Sequence, residues 1–337
     1  MHNHTLMKMQ MQKIYLGIDV GGTKTAVVLS AHPPAMLGRV EFATLPERGP
    51  QPALASIVKS GRRLLLQHGF HQEQIAAIGV SCGSPLDRVR GIIQAPPNLP
   101  TWVDVPICRL LEDAFHATCR LENDANAGAV AEHRYGAGVG AEHMVFLTLG
   151  TGLGAGIIAG GRLYLGANGD AGEIGHVRLS PTGPVGYHKA GSIEGWASGG
   201  GIAQLAVRML EQAARRGRVS VLHSQLAAGA RVTARDVGRA AEAGDAVARA
   251  ILRSSGMRLG QVLAMLIDVL NPQRIVLGGL AWRMGEHLLA PMRRVMEREA
   301  LPQTLRACAI VPAALGEQIG DVAALCVAMG LEGEGVS

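Results

Sequence analysis

The sequence is poor in aromatic residues and has no block of like charge, and both absences narrow the function. Aromatic residues make up 3% of the 337 residues, which disfavours the stacking platforms that bind single-stranded nucleic acid. The formal net charge is +5, but the basic residues are dispersed in isolated pairs such as Arg62-Arg63 and Arg215-Arg216. Dispersed charge is typical of a solvated surface. We therefore predict no nucleic-acid partner.

Cysteines and long apolar runs are also scarce. The five cysteines are odd in number and none stands in a C-x-x-C pair, which predicts small buried thiols in a reducing compartment. No apolar run reaches the roughly 18 residues that span a bilayer. The first 13 residues lack the apolar core of a signal peptide. These absences predict a cytoplasmic protein with no membrane partner and with a disordered tail over residues 1–13.

Glycine is abundant, with 45 residues, and two glycine turns carry the clearest pattern in the chain. Residues 14–29 are typical of two β-strands that are interrupted at Gly21-Gly22. Residues 143–158 repeat this pattern around the turn Gly150-Thr151-Gly152-Leu153-Gly154. The repetition favours a duplicated α/β domain in which each half supplies one phosphate loop. A chain of this length exceeds the ~250–300 residues at which single cores stop growing, so two lobes are expected.

Helical periodicity dominates the second half of the chain. Ser198 and Thr233 are predicted to cap helices at their N-termini. Apolar spacing predicts helices over residues 51–69, 105–116, 127–133, 199–216, 234–243, 245–270 and 321–330. Short apolar runs predict further strands over residues 75–80, 119–122 and 274–277.

The first candidate site is the segment Asp19-x-Gly21-Gly22-Thr23-Lys24. An aspartate at a strand end can hold Mg²⁺ through its oxygens, directly or through water. The backbone N–H groups of a glycine turn can approach phosphate oxygens, and Thr23 and Lys24 add donors. The alternative interpretation is an ordinary hairpin with an exposed aspartate.

The second candidate site is the glycine turn that includes Gly150, Thr151, Gly152 and Gly154. A dinucleotide-binding motif would require a helix directly after the glycines. A β-rich run follows instead, so a second phosphate cradle fits the sequence better.

The third candidate is Asp124 in the segment Glu122-Asn123-Asp124-Ala125-Asn126. Between a strand and a helix, a carboxylate could accept the proton of an attacking hydroxyl, which contributes roughly 10²–10⁴-fold to a rate. The alternative is that Asn123 or Asp124 only caps the following helix.

The fourth candidate combines Glu173, His176 and Glu194. Carboxylates and an imidazole are suited to a polyol, because they fix the directions of hydroxyl hydrogen bonds. A structural role for the histidine is the alternative. The lack of cysteine between residues 120 and 307 excludes a thiolate zinc site there, and a weak site with histidine ligands alone stays open.

Together these segments resemble the ROK family, which is named for repressors, open reading frames and kinases. The resemblance covers residues 14–330, and the order and spacing of its segments make it specific. The segments are LGIDVGGTKTAVVL, GVSCGSPLD, APPNLPTW, LENDANAGAVAEHRYGAG, TLGTGLGAGIIAGGRLYLGANGDAGEIGH, SIEGWASGGG and NPQRIVLGG.

The resemblance implies a two-lobed actin-like ATPase fold, which is a duplicated ribonuclease H-like α/β fold with a central cleft. The N-terminal lobe would comprise residues 14–124 and 318–337, and the C-terminal lobe residues 125–317. It also implies ATP and Mg²⁺ as cofactors and a homodimer as the assembly.

The resemblance also assigns roles to residues of this chain. Asp124 would be the general base, and Asp19 to Lys24 and Gly150 to Gly154 would face the phosphates. Gly278-Gly279 would lie against the adenosine. The residues that would hold the sugar are Ser84, Asn98, Asn123, Glu173, His176 and Glu194.

One departure from the family pattern concerns zinc. The family commonly carries three cysteines that bind a structural zinc together with the histidine that matches His176. Here Val185, Tyr187 and Ser192 stand at the cysteine positions. We therefore predict no zinc site and a sugar contact for His176.

The expected function is ATP-dependent phosphorylation of a hexose hydroxyl, with the 6-hydroxyl of glucose or a related aldohexose favoured. Fructose, N-acetylmannosamine and N-acetylglucosamine are alternative substrates, because they differ by single groups around one ring. A catalytically silent sugar-binding regulator and an ATPase of the same fold acting on protein or acetate are the other classes. The repressors of the family carry a DNA-binding domain, for which the 13 residues before the first strand are too few.

Overall fold

The computed structural model describes residues 12–331. Of the predicted disordered tail, residues 1–11 lie outside the described residues. The chain divides into two compact units, one that runs to Val139 and resumes at Leu315, and one that comprises Gly140–Ala314.

Fourteen strands are found in the described part of the chain. Most are short, and five of the six inner strands of the two five-stranded sheets are mostly apolar and buried. The strands are β1 (Ile14–Val20), β2 (Lys24–Ser30), β3 (Gly38–Ala43), β4 (Ile75–Cys82), β5 (Leu86–Asp87), β6 (Ile92–Ile93), β7 (Cys119–Asn123), β8 (Met144–Leu149), β9 (Leu153–Ala159), β10 (Arg162–Leu163), β11 (Val185–Gly186), β12 (Lys189–Ala190), β13 (Arg274–Leu277) and β14 (Ala309–Pro312).

Twelve α-helices accompany the strands over residues 12–331. The predicted caps Ser198 and Thr233 are confirmed, since each side chain accepts a hydrogen bond from the first turn of its helix. The helices are α1 (Pro50–Gln67), α2 (Ile107–Phe115), α3 (Asp124–Tyr135), α4 (Ile193–Ala197), α5 (Gly199–Arg215), α6 (Leu222–Ala227), α7 (Ala234–Glu242), α8 (Ala246–Leu270), α9 (Gly279–Arg283), α10 (Glu286–Glu299), α11 (Pro302–Ala307) and α12 (Ile319–Met329).

The two units repeat one sheet topology. The first sheet has the order β3-β2-β1-β4-β7 and the second the order β10-β9-β8-β13-β14. In each sheet a hairpin of two long antiparallel strands, β1 with β2 or β8 with β9, adjoins two parallel strands. In both sheets the chain passes through the strand positions in the same order. The predicted duplicated α/β fold is therefore confirmed.

A glycine lets helix α12 lie directly on the first sheet. A Cβ at Gly79 of β4 would lie 2.2 Å from the carbonyl oxygen of Ala324 in α12. No side chain fits into this gap, so the helix backbone packs on the strand. This packing places the first turn of α12 beside the end of β1, where a Cβ at Gly320 would lie 2.2 Å from Asp19 Oδ2.

The observed units differ from the predicted lobes at helix α3. The predicted boundary falls at residues 124/125, whereas the whole of α3 belongs to the first unit, which resumes at residue 315 instead of 318. The reason is that α3 packs on α12. The Arg134 guanidinium donates to the carbonyl oxygen of Gly330 at 2.9 Å, and the Tyr135 hydroxyl lies 3.9 Å from the sulfur of Met329.

The described residues also bear on the cysteine and membrane predictions. Four of the five cysteines are buried, Cys308 is partly buried, and all five are free. Over residues 12–331, no helix combines the length and apolar character needed to cross a membrane.

Candidate active site

The carboxyl ends of three parallel strands bring polar residues into one row. In the register of the first sheet, Asp19 of β1 pairs with Ser81 of β4, which pairs with Glu122 of β7. In open α/β sheets, ligands bind at the carboxyl ends of the strands. The first candidate segment and the Asp124 segment therefore meet at the edge where ligand binding is expected.

The first glycine turn is anchored by a threonine that the sequence analysis missed. The Thr44 hydroxyl, just beyond β3, donates to the carbonyl oxygen of Gly21 at 2.6 Å. The Thr44 amide donates to the carbonyl oxygen of Thr23 at 3.0 Å, and its hydroxyl lies 2.9 Å from that of Thr25. Thr44 thus holds the turn from both sides. Only its tertiary position reveals this role, since an isolated threonine carries no motif.

Gly22 is required by a close contact with Asn98. A Cβ at Gly22 would lie 2.6 Å from the Asn98 carbonyl oxygen and 2.7 Å from its Cβ. The side-chain amide of Asn98 points toward Gly83, whose added Cβ would lie 3.5 Å from Asn98 Oδ1. The predicted sugar-binding residue Asn98 therefore lies between the first glycine turn and the loop that carries Ser84.

Lys24 does not reach over the turn. Its ammonium forms an ion pair with Glu41 of β3 at 3.0 Å, and its side chain is 63% exposed. Glu41 also accepts from Arg39 at 2.6 Å. Lys24 thus adds positive charge beside the turn, and its direct phosphate contact stays a prediction.

Asp19 lies among other carboxylates. Its pKa is raised to about 7, first by burial and then by the negative charges of Asp124 and Asp321, while Lys24 and Arg39 oppose the shift. A carboxylate that resists ionisation in such surroundings is one that a bound cation stabilises. The donor chemistry at Asp19 therefore fits a hard cation such as Mg²⁺.

Asn123 is the cap of helix α3. Its Oδ1 accepts from the amides of Ala125 at 2.9 Å and Asn126 at 3.3 Å. Its Nδ2 donates to the Ser84 hydroxyl at 2.7 Å. Two residues that were predicted to hold a sugar are thus in contact, and the capping role falls to Asn123 rather than to Asp124.

Asp124 is the first residue of α3, and its side chain is exposed to solvent. The surrounding protein nevertheless raises the pKa of Asp124, since desolvation disfavours the charged form, and the Ala125 amide opposes this shift. A carboxylate with a raised pKa is a stronger base than an ordinary aspartate.

The Glu122 carboxylate holds the Asn123 segment through two hydrogen bonds. It is completely buried, and its Oε1 accepts from the Asn123 amide at 2.9 Å and from Asn126 Nδ2 at 3.0 Å. These contacts fix the entry into α3. The sequence analysis quoted Glu122 only as part of the segment and gave it no role.

The second glycine turn joins β8 to β9 and packs on the start of α5. The amide of Gly199 donates to the carbonyl oxygen of Gly150 at 2.8 Å, and the amide of Gly200 donates to that of Thr151 at 3.0 Å. Gly154 lies within β9 rather than in the turn. Because α5 holds its carbonyl oxygens, the turn is fixed in one conformation, as a phosphate cradle requires.

Glu194, which was predicted to contact a sugar, also holds this turn. Its Oε2 accepts from the amide of Leu153 at 3.1 Å. A Cβ at Gly152 would lie 2.8 Å from the same oxygen, so a side chain at this position would displace the carboxylate. The structure thereby connects one predicted sugar ligand to the predicted phosphate cradle of the same unit.

The segment with Glu173 and His176 packs against the same region. Residues 174–176 form a turn of 3₁₀ helix that follows Glu173. A Cβ at Gly175 would lie 2.3 Å from the carbonyl oxygen of Leu153 and 3.5 Å from Glu194 Cβ. The absence of a side chain at Gly175 therefore brings the Glu173 and His176 segment against Glu194.

Gly278 and Gly279 follow β13 directly. The Gly278 amide donates to the carbonyl oxygen of Leu147 in β8 at 2.8 Å, and a Cβ at Gly278 would lie 2.9 Å from the amide nitrogen of Leu149. Gly279 begins the short helix α9 and is exposed. The pair thus lies beside the strand that leads into the second glycine turn.

Two groups of predicted site residues form, one in each unit. The second group contains Glu173, His176, Glu194 and the turn at Gly150. The first group contains Asp19, Gly21, Gly22, Thr23, Lys24, Ser84, Asn98, Asn123 and Asp124.

The side chains available as metal ligands distinguish between zinc and Mg²⁺. Within residues 12–331, no three histidine, cysteine, aspartate or glutamate side chains converge to hold a metal ion. Structural zinc needs four protein ligands, so these residues do not fit it. Mg²⁺ is commonly held by one or two carboxylates together with substrate phosphates, which Asp19 fits.

Comparison with known proteins identifies the family to which this sequence is similar. The sequence matches the ROK family over residues 15–330. It is 34% identical over 316 residues to the glucokinase of Halalkalibacterium halodurans, covering 91% of this chain and 92% of that protein.

Solved structures give the same result. The ROK hexokinase from Thermus thermophilus is similar with a TM-score of 0.75 and 31% identity, covering 94% of this chain and 97% of that one. A ROK family glucokinase from Streptomyces griseus in complex with glucose and AMPPNP is similar with a TM-score of 0.73 and 30% identity, covering 94% and 99%. The chain therefore belongs to the ROK family and has the actin-like fold of that family's sugar kinases.

Proposed function

We propose that this protein transfers the γ-phosphoryl group of ATP to a hexose hydroxyl, with Asp124 as the general base. The observation that carries the proposal is that Asn123, and not Asp124, caps helix α3. Asn123 caps α3 and contacts Ser84, so the neighbouring Asp124 carboxylate is not needed as the cap. It projects from the first turn of α3 with a raised pKa.

The chemistry asks the protein mainly for positioning and charge. The sugar hydroxyl attacks the γ-phosphorus, the bond to the β,γ-bridging oxygen breaks, and the hydroxyl proton passes to Asp124. Phosphoryl transfer of this kind depends on alignment and on electrostatic stabilisation of the transferred group. The fixed amides of a glycine turn would supply such stabilisation, because they need no reorganisation during the reaction.

The predicted sugar ligands within each unit carry side chains that suit hydroxyl groups. Asn98 and Asn123 carry amides that donate and accept, and Ser84 extends the set through its contact with Asn123. Glu173 adds carboxylate oxygens and His176 adds a ring nitrogen as acceptors. Glu194 would accept through the carboxylate oxygen that is not hydrogen-bonded to the Leu153 amide. This mixture suits a ring of hydroxyls, each of which donates one hydrogen bond and accepts others.

Asp19 is the residue that would hold Mg²⁺, directly or through water. Bound Mg²⁺ would neutralise charge on the phosphates of ATP. Asp19 itself lies at the end of β1 next to the first glycine turn, and α12 fixes its carboxylate through the close contact at Gly320. This placement supports the assignment of Asp19 to the metal rather than to proton transfer.

Glucose is the proposed acceptor, at its 6-hydroxyl, because the names of the similar proteins from H. halodurans and S. griseus are those of glucokinases. Fructose, N-acetylmannosamine and N-acetylglucosamine are the alternatives. A homodimer in the cytoplasm is the proposed state of the protein.

A coupled ADP-release assay with MgATP and a panel of hexoses and N-acetylhexosamines tests the proposal. Phosphorus NMR of the product identifies the phosphorylated hydroxyl. Turnover on an aldohexose with phosphate on its 6-hydroxyl supports the proposal. Binding of a sugar by calorimetry, without turnover on any sugar, would favour the silent regulator, which is the second candidate because the family includes repressors.

A further inference from the structure

Of the three residues at the family's cysteine positions, Val185 and Tyr187 lie in one small hairpin of the second unit, and Ser192 follows it as the N-cap of α4. Strands β11 and β12 pair through Val185 with Ala190 and Gly186 with Lys189. Tyr187 and His188 form the two-residue turn between them. The hairpin therefore brings Tyr187 to its tip.

Two of these positions are fixed by hydrogen bonds within the protein. Val185 donates its amide to Gln204 Oε1 at 2.9 Å and accepts from Gln204 Nε2 at 2.8 Å. Ser192 is completely buried. Its hydroxyl accepts from the amide of Gly195 at 3.1 Å and donates to the carbonyl oxygen of Gly186 at 3.4 Å. Hydrogen bonds within the protein thus hold both ends of the segment.

The third position contacts the candidate sugar residue. The edge of one ring meets the face of the other between Tyr187 and His176, with ring centroids 4.7 Å apart and an angle of 78° between the ring planes. Such edge-to-face geometry is favourable for aromatic rings. Lys189 Nζ also donates to the His176 carbonyl oxygen at 2.7 Å. The hairpin therefore holds both the ring and the backbone of His176.

The backbone of the turn points to a role for the side chains. Tyr187 has φ of 40° and His188 has φ of 63°, which is the left-handed region that most residues other than glycine and asparagine avoid. Glycine or asparagine would occupy these positions with less strain. Strained residues persist where the surrounding structure or the function requires their side chains, and the contact with His176 is such a requirement.

We propose that Tyr187 is a positioning residue that orients the His176 ring toward the sugar. The inference rests on the proposed function, since it takes His176 to be a sugar ligand. It adds that the sugar side of the second unit is ordered without metal and that Tyr187 sets the affinity for the acceptor.

Three variants separate the ring contact from the fold of the turn. Tyr187→Asn removes the ring and keeps a residue that favours positive φ, so the hairpin is retained. Tyr187→Phe keeps the ring. His188→Asn is the matched control at the adjacent turn position, because among the described residues the ring that packs on His176 is that of Tyr187.

The kinetic readout is the separation of KM from kcat. Tyr187→Asn is expected to raise the KM for the sugar about two- to tenfold, the range that one edge contact between rings supports, with kcat and the KM for ATP little changed. Tyr187→Phe and His188→Asn are expected to resemble wild type. An unchanged sugar KM in Tyr187→Asn would overturn the proposal.

The spectroscopic readout needs no sugar and no turnover. The ring ¹H and ¹³C shifts of His176 are expected to move in Tyr187→Asn, because the neighbouring ring current is lost, and to stay in place in His188→Asn. Wild-type shifts for His176 in Tyr187→Asn would overturn the proposal. Wild-type protein without turnover on any hexose would instead overturn the proposed function, and stoichiometric zinc in purified wild type would overturn the metal-free arrangement.

Discussion

The guanidinium of Arg88 lies 2.6 Å from the carboxylate of Glu122, in an ion pair whose acidic partner is completely buried. Burial raises the pKa of Glu122, and Asn126, Arg88 and the Asn123 amide oppose the shift. Arg88 follows the loop with Ser84, and Glu122 precedes Asn123. The pair therefore ties the Ser84 loop to the segment that carries the proposed base.

Arg88→Met is expected to destabilise the protein, because it leaves the Glu122 carboxylate buried without its cation. Losing one partner of a buried pair costs about 3–5 kcal/mol, and Arg88 is 24% exposed. We therefore expect a loss of about 2–3 kcal/mol in the free energy of unfolding, measured with urea, together with a raised sugar KM.

The control for this prediction is Arg90→Met. Arg90 is 73% exposed and lies 3.8 Å from Asp87, so this variant is expected to change stability by less than about 1 kcal/mol. The double variant Arg88→Met/Glu122→Gln should recover part of the loss. Equal stability of Arg88→Met and Arg90→Met would contradict the role of the pair.

Asp19→Asn is expected to stabilise the metal-free protein at alkaline pH. The folded pKa of Asp19 is about 7, above its ordinary value of 3.8, so the folded state retains a proton that the unfolded state has lost. The resulting loss of stability is absent below about pH 4, grows as pH rises toward 7 and is complete above it. Urea unfolding with chelator at pH 8 should show the variant as more stable, and the difference should vanish near pH 4.

Identical pH profiles for wild type and Asp19→Asn would show that Asp19 ionises as easily in the fold as outside it. Activity should be lost in Asp19→Asn at every pH, since the metal ligand is removed.

Thr44→Val is expected to loosen the first glycine turn, since it removes the hydroxyl that donates to Gly21. A buried hydrogen bond of this kind contributes about 0.5–1.5 kcal/mol, which corresponds to a rise of roughly two- to tenfold in the KM for ATP. Thr44→Ser keeps the hydroxyl and should resemble wild type. A change in sugar KM alone would place the effect elsewhere.

Glu132→Gln is expected to destabilise the backbone around residues 137 and 315, close to where the chain leaves the first unit and returns to it. The Glu132 carboxylate accepts from the Ala137 amide at 2.7 Å and from the Leu315 amide at 2.9 Å. Glutamine offers one acceptor and one donor, so one amide loses its partner at a cost of about 1–3 kcal/mol. Hydrogen exchange should become faster at residue 137 or 315, and unchanged exchange at both would refute the assignment.

The sequence identified the strand and glycine patterns because apolar character and turn chemistry are local. It missed β3, where half-buried and exposed residues alternate and Arg39 and Glu41 interrupt the apolar run. It also missed α10, which contains Pro291, since proline normally ends a helix. Tertiary packing overrides the local signal in both elements.

Some residues of the candidate site could likewise be predicted from the local sequence, and others could not. Asp19, Asn123 and Asp124 stand in recognisable segments, and their order along the chain was sufficient to select them. Thr44 and Arg88 act on residues more than twenty positions away in the chain, so no local pattern reports them. Sequence alone left open which residue caps α3, and the hydrogen bonds of Asn123 answer that question.

The most direct test of the account compares wild type with Asp124→Asn, using single-turnover phosphoryl transfer and calorimetric sugar binding on the same protein. Asparagine preserves the shape and the start of α3 but cannot accept the proton. We predict a chemical rate lower by about 10²–10⁴-fold, with sugar affinity within about threefold of wild type. A near-normal chemical rate in Asp124→Asn would contradict the assignment of the base.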